Sequence, residues 1–243
     1  FIKSPKPDLF ALARATGPFG AHKIKPFDTL WSSLGRHFQD PRLRQLFGRY
    51  ATYCGSSPFL TPATLMLVAH VEQRGVWAVE GGLAALARAI AEAFVRKGGT
   101  ILTDTPAREI AVSGGAVQGV ATDGGFHAGD VVVVNADVSA VGSGLFGKAV
   151  SRAAPEVPRP SRSLSAMTFS AAARLRGADA YHTVCFGRDY PAEFEALFGR
   201  RAMPEDPTVY ICAPDYAASE EADGRILIVM NAPADGDINR FDE

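Results

Sequence analysis

Residues 75–137 constrain the fold more than any other stretch, because they join a glycine pair, a helical pattern and a run of four valines. Gly81 and Gly82 stand directly before the helical pattern, where glycines let a bound group approach the backbone closely. Residues 131–134 have the composition of a strand buried on both faces. The arrangement suits a dinucleotide held against a sheet. It equally allows a turn whose glycines only satisfy the backbone angles.

Apolar residues spaced by three and four positions predict an amphipathic helix after the glycine pair, and Gly98 with Gly99 would end it. These apolar residues are Leu83, Leu86, Ala87, Ile90 and Phe94. We expect strands at 100–103, 108–112, 116–121, 126–127 and 131–134, with the second and third forming a hairpin.

The second half of the chain has a different character. Residues 151–162 are rich in Pro, Ser and Arg and predict a connector. After it we expect an α+β arrangement with an antiparallel or mixed sheet. Its predicted strands are 164–169, 183–186, 208–212 and 226–231, with a short helix at 191–198. The fold class is therefore α/β combined with α+β.

Composition excludes several classes of protein. The 243 residues are 47% hydrophobic and 21% charged, as in an ordinary globular protein. A net charge of -1 gives no general argument for nucleic-acid binding. No apolar run approaches the roughly 20 residues of a membrane span. Three widely spaced cysteines predict buried thiols in a reducing compartment.

Three familiar functional motifs are incomplete or missing in this sequence. Gly142, Gly144 and Gly147 match a dinucleotide fingerprint, but no strand directly precedes them and prolines interrupt the residues after them. His182 and Cys185 have a spacing seen in metal sites, yet nothing completes a set of four ligands, so we predict no metal. The sequence contains no Gly-x-Ser-x-Gly elbow, so this signature of a hydrolase is missing.

Aromatic and aliphatic residues from both flanking segments form the candidate apolar pocket. They are either ordinary core or the wall of a tunnel for a long apolar ligand. These residues are Phe59, Leu65, Val68, Phe169 and Phe186.

Several blocks together resemble the carotenoid (phytoene) desaturase family of FAD-dependent oxidoreductases. Within it, their mixture is most similar to the bacterial hydroxy- and methoxycarotenoid 3,4-desaturases. The blocks are YATYCGSSPFLTPA (50–63), HVE (70–72), GVWAVEGG (75–82), TPA (105–107), VVNAD (133–137), HTVCFG (182–187), DPTVY (206–210) and AP (232–233).

The resemblance implies an FAD site and three segments of two domains. Residues 76–150 would be the middle part of a Rossmann-like FAD domain. Residues 1–75 and 151–243 would form a substrate domain that contains a mixed sheet covered by helices. The residues near the cofactor would be Trp77, Gly81, Gly82, Ala107, Asn135, Ala136 and Asp137. Ala107 stands where the family more often has Val, and 78–80 depart from its common Tyr-Pro pair.

The resemblance also implies a reaction: hydride transfer from an acyclic carotenoid to flavin, creating a C=C bond. It assigns no catalytic residue. The lipid-soluble substrate implies peripheral contact with the inner membrane from the cytoplasm. Both chain ends look cut, so we expect an internal fragment that retains FAD poorly and is inactive alone. The alternatives are another amine oxidase-like flavoenzyme or carotenoid isomerase, and a non-catalytic module that binds apolar ligands.

Overall fold

The computed structural model describes residues 28–174, 180–216 and 223–236. The chain divides into two compact units. The first combines the segment before Val76 with the segment from Ser163 onward, and the second is Val76–Arg162. The predicted segments 1–75 and 151–243 extend beyond the described residues.

Groups of helices and groups of strands follow one another along the described chain, which confirms the mixed α/β class. The α-helices are α1 (Leu30–His37), α2 (Pro41–Gly48), α3 (Leu67–Glu72), α4 (Gly82–Arg96), α5 (Val138–Gly142), α6 (Lys148–Ser151) and α7 (Tyr190–Phe194), and α7 continues into a π-helical turn at Glu195–Arg200. Short 3-10 helices lie at Arg49–Cys54, Ala63–Met66 and Arg159–Ser161. The strands are β1 (Ala107–Ser113), β2 (Ala116–Thr122), β3 (Gly125–Ala128), β4 (Ser165–Arg174), β5 (His182–Cys185), β6 (Val209–Cys212) and β7 (Asp223–Ala232).

Side-chain caps fix the start of the first two helices. Thr29 accepts a hydrogen bond from the Ser32 amide and begins α1, which buries Leu30 and Leu34 completely against Ala51. Asp40 caps α2 with a proline at the first helical position, as the sequence predicts. The caps satisfy amide groups that a helix start leaves unpaired.

Four strands of the first unit form an antiparallel sheet in the order β4-β7-β6-β5. β4 and β7 pair along ten residues each, from Ser165 opposite Ala232 to Arg174 opposite Asp223. The predicted strands and the helix after Asp189 are confirmed, with boundaries shifted by a few residues. A hydrophobic cluster of Tyr190, Phe194 and Leu197 gives this unit a second core.

The second unit holds a three-stranded antiparallel meander, β1-β2-β3, and the helix α4. The sequence predicts both the hairpin and the third strand. Ile110 is buried, but the helix buries none of its residues and Leu83 is 77% exposed. The short helix α5 ends at Gly142 and the short helix α6 begins at Lys148, so no long helix opens at the rejected glycine motif.

Two predicted strands are wrong. Residues 100–103 and 131–134 form no strand, and Val133 is 88% exposed instead of buried. A strand exists only when its backbone groups pair with a neighbour, and within the described ranges no strand lies beside either stretch.

The cysteine prediction is also wrong in part: Cys54 and Cys185 are exposed and only Cys212 is half-buried. The described helices include none with the length and apolarity needed to cross a membrane.

Candidate functional site

A cavity of about 800 Å³ lies in the first unit, between the sheet and the helical segment that follows α1. This is the size range of cavities that enclose small organic ligands. Its lining residues all belong to the first unit.

One face of the sheet forms the first wall. Directly paired residues point to the same face, and alternate residues along a strand share it. Val184, Tyr210 and Val229 are such partners across β5, β6 and β7. Asn231 follows Val229 by two residues on β7, and its partner on β4 is Ala166, so both lie on the same face. The register therefore lines this wall with apolar side chains and with the polar groups of Tyr210 and Asn231.

The helical segment forms the opposite wall and is richer in aromatic and polar groups. Leu46 and Phe47 come from the last turn of α2, and Tyr50 and Tyr53 from the 3-10 helix that follows it. Glu72, the last residue of α3, completes this wall.

Two hydrogen-bonded pairs place polar groups in this cavity. The Tyr50 hydroxyl donates to Glu72 Oε2, and the Tyr210 hydroxyl lies 2.7 Å from His182 Nδ1. Partial burial raises the pKa of Tyr50 to about 12, and the hydrogen bond and charge of Glu72 add to the shift. Burial is also the main reason that the pKa of Tyr210 rises to about 12. Both phenols therefore stay protonated at physiological pH.

The residues predicted from sequence for the pocket are dispersed. Phe59 packs on Trp31 and lines a second cavity of about 590 Å³ beside α7. Leu65 packs against the core around Leu30, and Phe186 against Tyr190. Phe169 is paired with Ile228, which is next to the cavity residue Val229 on β7. Because neighbouring residues of a strand point to opposite faces, Phe169 faces away from the larger cavity. Val68 is half-buried on α3, one turn before the cavity residue Glu72.

Sequence reasoning did not assign Tyr50, Glu72, His182 or Tyr210 to a pocket. The available signal was that all four lie inside blocks that resemble the desaturases. Their meeting depends on the antiparallel register and on the fold of the helical segment, which no local pattern reports.

The glycine pair of the second unit opens α4 as predicted. Gly81 and Gly82 have φ angles of 76° and 75°, a left-handed conformation that favours glycine. Among the described residues, no side chain caps the helix, and a Cβ added at Gly82 would meet nothing within 4 Å. The start of α4 thus offers unpaired amide groups and the positive end of its dipole, a suitable setting for an anionic or polar cofactor group. Trp77, four residues before Gly81, is 80% exposed.

The other predicted cofactor residues lie at element boundaries. Ala107 begins β1 and is exposed, as are Asn135 and Ala136. Asp137 caps α5 by accepting from the Ser139 amide at 2.8 Å, and the hydroxyl and amide of Ser139 lower its pKa. Hydrogen bonds within the described part of the chain do not join these residues to Trp77 or to the glycine pair. These residues are exposed and the start of α4 is open, so the described residues leave room for a bound dinucleotide, and their role in binding it stays a prediction.

Comparison with known proteins places this arrangement in a family. The model of the family described as flavin containing amine oxidoreductase matches residues 31–242. The chain belongs to that family.

Its relatives include hydroxyneurosporene desaturase of Rubrivivax gelatinosus, 44% identical over all of this chain and 48% of the relative. The hydroxyneurosporene desaturase of Rhodobacter capsulatus is 40% identical over 96% of this chain and 48% of the relative. The 1-hydroxycarotenoid 3,4-desaturase of a Flavobacterium species is 31% identical over 82% of this chain and 42% of the relative. The chain thus spans about half the length of the curated relatives it matches.

Proposed function

We propose that this chain is part of an FAD-dependent desaturase that introduces a C=C bond into an acyclic, hydroxylated carotenoid. The cavity of about 800 Å³ carries the proposal, because its predominantly apolar and aromatic lining suits a long polyene. Family membership and the names of the relatives support the same substrate class.

We assign the cofactor to the second unit. FAD, when bound, supplies the hydride acceptor, while the protein positions the substrate and excludes water. The open start of α4 would hold a polar part of the cofactor, and the exposed residues Ala107 and 135–137 would hold further parts. The proposed FAD residues are Trp77, Gly81, Gly82, Ala107, Asn135, Ala136 and Asp137.

We assign the substrate to the first unit. The proposed FAD domain is residues 76–150 and the proposed substrate domain is 1–75 with 151–243, although residues 151–162 cluster with the second unit. Because the polyene dissolves in lipid, the protein would work in the cytoplasm with peripheral contact to the inner membrane. Flotation of the complete protein with liposomes of bacterial phospholipid tests that contact. Protein left at the bottom of the gradient would contradict it.

The activity is tested with the complete protein in three measurements. Purified protein should show flavin absorbance at about 450 nm. With a hydroxylated acyclic carotenoid it should form a product that has lost two hydrogens and gained one conjugated double bond. Protein that binds no flavin after reconstitution, or a flavoprotein that changes no carotenoid, would contradict the proposal.

The chain of 243 residues alone should bind FAD weakly, because it spans about half of the relatives' length. Titration of FAD fluorescence against this chain measures the affinity. Tight binding at one FAD per chain would show that the second unit suffices as a cofactor site.

A further inference from the structure

The cavity of the first unit holds more polar groups than a hydrocarbon ligand needs. Glu72 is half-exposed and lines this cavity together with Leu46, Leu164 and Val229. A ligand that fills the cavity would remove water from its carboxylate, which costs free energy unless a hydrogen bond replaces that water. A ligand in this cavity should therefore carry a polar group that can pair with Glu72.

We propose that the Tyr50–Glu72 pair binds the hydroxyl group of a hydroxylated polyene and so selects it over the same polyene without oxygen. The inference rests on the proposed desaturase function and names the residues that set its substrate preference. Glu72 would accept the hydrogen bond from the substrate, and Tyr50 would position the carboxylate.

The chemistry of the pair favours an alcohol. A carboxylate offers about four acceptor sites. The Tyr50 hydroxyl donates to one of them and the Tyr53 hydroxyl also interacts with Glu72, so part of the acceptor capacity stays unused. Tyr50 stays protonated, and its single hydrogen is committed to Glu72. The group that fits the remaining capacity is a donor. Because Arg49 already brings a positive charge to this cavity, an uncharged donor such as a hydroxyl is favoured over a cation. A methyl ether at the same place cannot donate, so it would leave the remaining acceptor sites of the carboxylate unpaired.

The second polar pair is a poorer candidate for this role. The Tyr210 hydroxyl and His182 Nδ1 already satisfy each other at 2.7 Å. A hydrogen bond to an ionised carboxylate is about twice as strong as one between neutral groups. The carboxylate of Glu72 therefore gives a larger preference for a hydroxyl than the phenol or imidazole.

The test compares substrates in the complete flavoprotein. The three probes are a hydroxylated acyclic carotenoid, its methyl ether and the same polyene without oxygen, each in detergent. The variants are Glu72→Gln, Glu72→Leu and Tyr50→Phe, with Glu92→Gln as the control. Glu92 lies on exposed α4 and pairs with Arg96. Flavin content and circular dichroism show whether each variant is folded.

The measured quantity is the ratio of kcat/KM for the alcohol to kcat/KM for the polyene without oxygen. We expect Glu72→Leu to lower this ratio by about a hundredfold, because a site built to bind a hydroxyl discriminates strongly. Glu72→Gln keeps an acceptor without the charge and should lower it by about tenfold. Tyr50→Phe should lower it severalfold, and Glu92→Gln should leave it unchanged. The unmodified enzyme should also prefer the alcohol over the ether.

The outcomes separate the two proposals. A ratio that stays constant in both Glu72 variants and in Tyr50→Phe, while the enzyme desaturates both polyenes, overturns the role of the pair alone. An equal loss of kcat/KM for both polyenes also overturns it, because that is the effect of a general structural defect. An unmodified flavoprotein that desaturates none of the three probes overturns the proposed function and this inference with it.

Discussion

Glu193 is a carboxylic acid inside the first unit, with 2% of its surface exposed. Thr208 Oγ1 donates to its Oε2 at 2.6 Å, and Asn231 Nδ2 donates to its Oε1 at 3.4 Å. Burial raises the pKa of Glu193 above its ordinary value near 4.5, although both hydrogen bonds act in the opposite direction. The desolvation of the charged form is therefore larger than the effect of these donors.

This raised pKa predicts how stability changes with pH. Between the unfolded and the folded pKa of Glu193, the folded chain holds more protons than the unfolded one. The contribution of Glu193 is thus complete below about pH 4.5 and is lost as pH rises through the folded pKa. Urea unfolding from about pH 4.5 to about pH 8 should show a weaker decline in Glu193→Gln than in the unmodified chain.

The exposed neighbour provides the control for that experiment. Glu195→Gln should leave the decline unchanged. An identical pH dependence in the unmodified chain and in Glu193→Gln would contradict the assignment of the decline to Glu193.

Gly55 is a position at which the backbone requires glycine. Its φ is 60°, and an added Cβ would lie 2.5 Å from the Cβ of Ser163. Its carbonyl accepts a hydrogen bond from the Leu164 amide at 2.7 Å, which ties the early segment to β4. We expect Gly55→Ala to lower the free energy of unfolding by about 2 kcal/mol, from backbone strain and this clash.

Chemical denaturation measures this loss. Gly236→Ala is the matched control in the same unit, because a Cβ there meets nothing within 4 Å in the described part of the chain. Equal stability of the two variants would show that the chain relaxes around the methyl group added at Gly55 without cost, contrary to the expectation.

At the scale of elements, α4 exposes the apolar face that its sequence pattern predicts to be buried. Leu83, Ile90 and Phe94 are each more than half exposed. An apolar stripe of this length normally packs against another element. The chain of 243 residues should therefore bind a hydrophobic dye such as ANS in its folded state.

Replacing this stripe tests the source of the dye signal. Leu83→Ser with Ile90→Ser should reduce ANS fluorescence by about half or more, because both residues contribute exposed apolar area. The matched control replaces two exposed leucines of the other unit, Leu43→Ser with Leu60→Ser. A larger reduction of ANS fluorescence in the control would show that the dye binds mainly to apolar surface outside α4.

Local patterns predict the elements that depend on neighbours in sequence. The helix after Gly82, the meander and the cap at Asp40 all depend on residues a few positions apart. Residues 131–134 are valine-rich and still form no strand, because a strand also needs a partner. Local patterns also do not predict the hydrogen bond between Tyr50 and Glu72, since it depends on how two helices pack together.

At the scale of the whole molecule, the first unit is built from two distant segments and the second from one continuous segment. Two compact units with separate cores predict unfolding that departs from a single two-state transition. Calorimetry of the chain should resolve two transitions.

Core variants assign these transitions. Leu34→Ala should lower one midpoint, because Leu34 is 1% exposed in the first unit and such truncations cost about 2–5 kcal/mol. Ile110→Ala should lower the other midpoint, because Ile110 is 5% exposed in the second unit. A single transition that both variants shift equally would contradict independent cores.

The strand order β4-β7-β6-β5 also sets a sequence of events on the ribosome. The meander consists of consecutive strands and can close soon after Ala128 leaves the exit tunnel. β4 pairs with β7, the last of the four strands to be synthesised. β4 must therefore wait through the synthesis of β5, α7 and β6 with its ladder unpaired. During translation it is the strand of this sheet that a chaperone has to shield for the longest time.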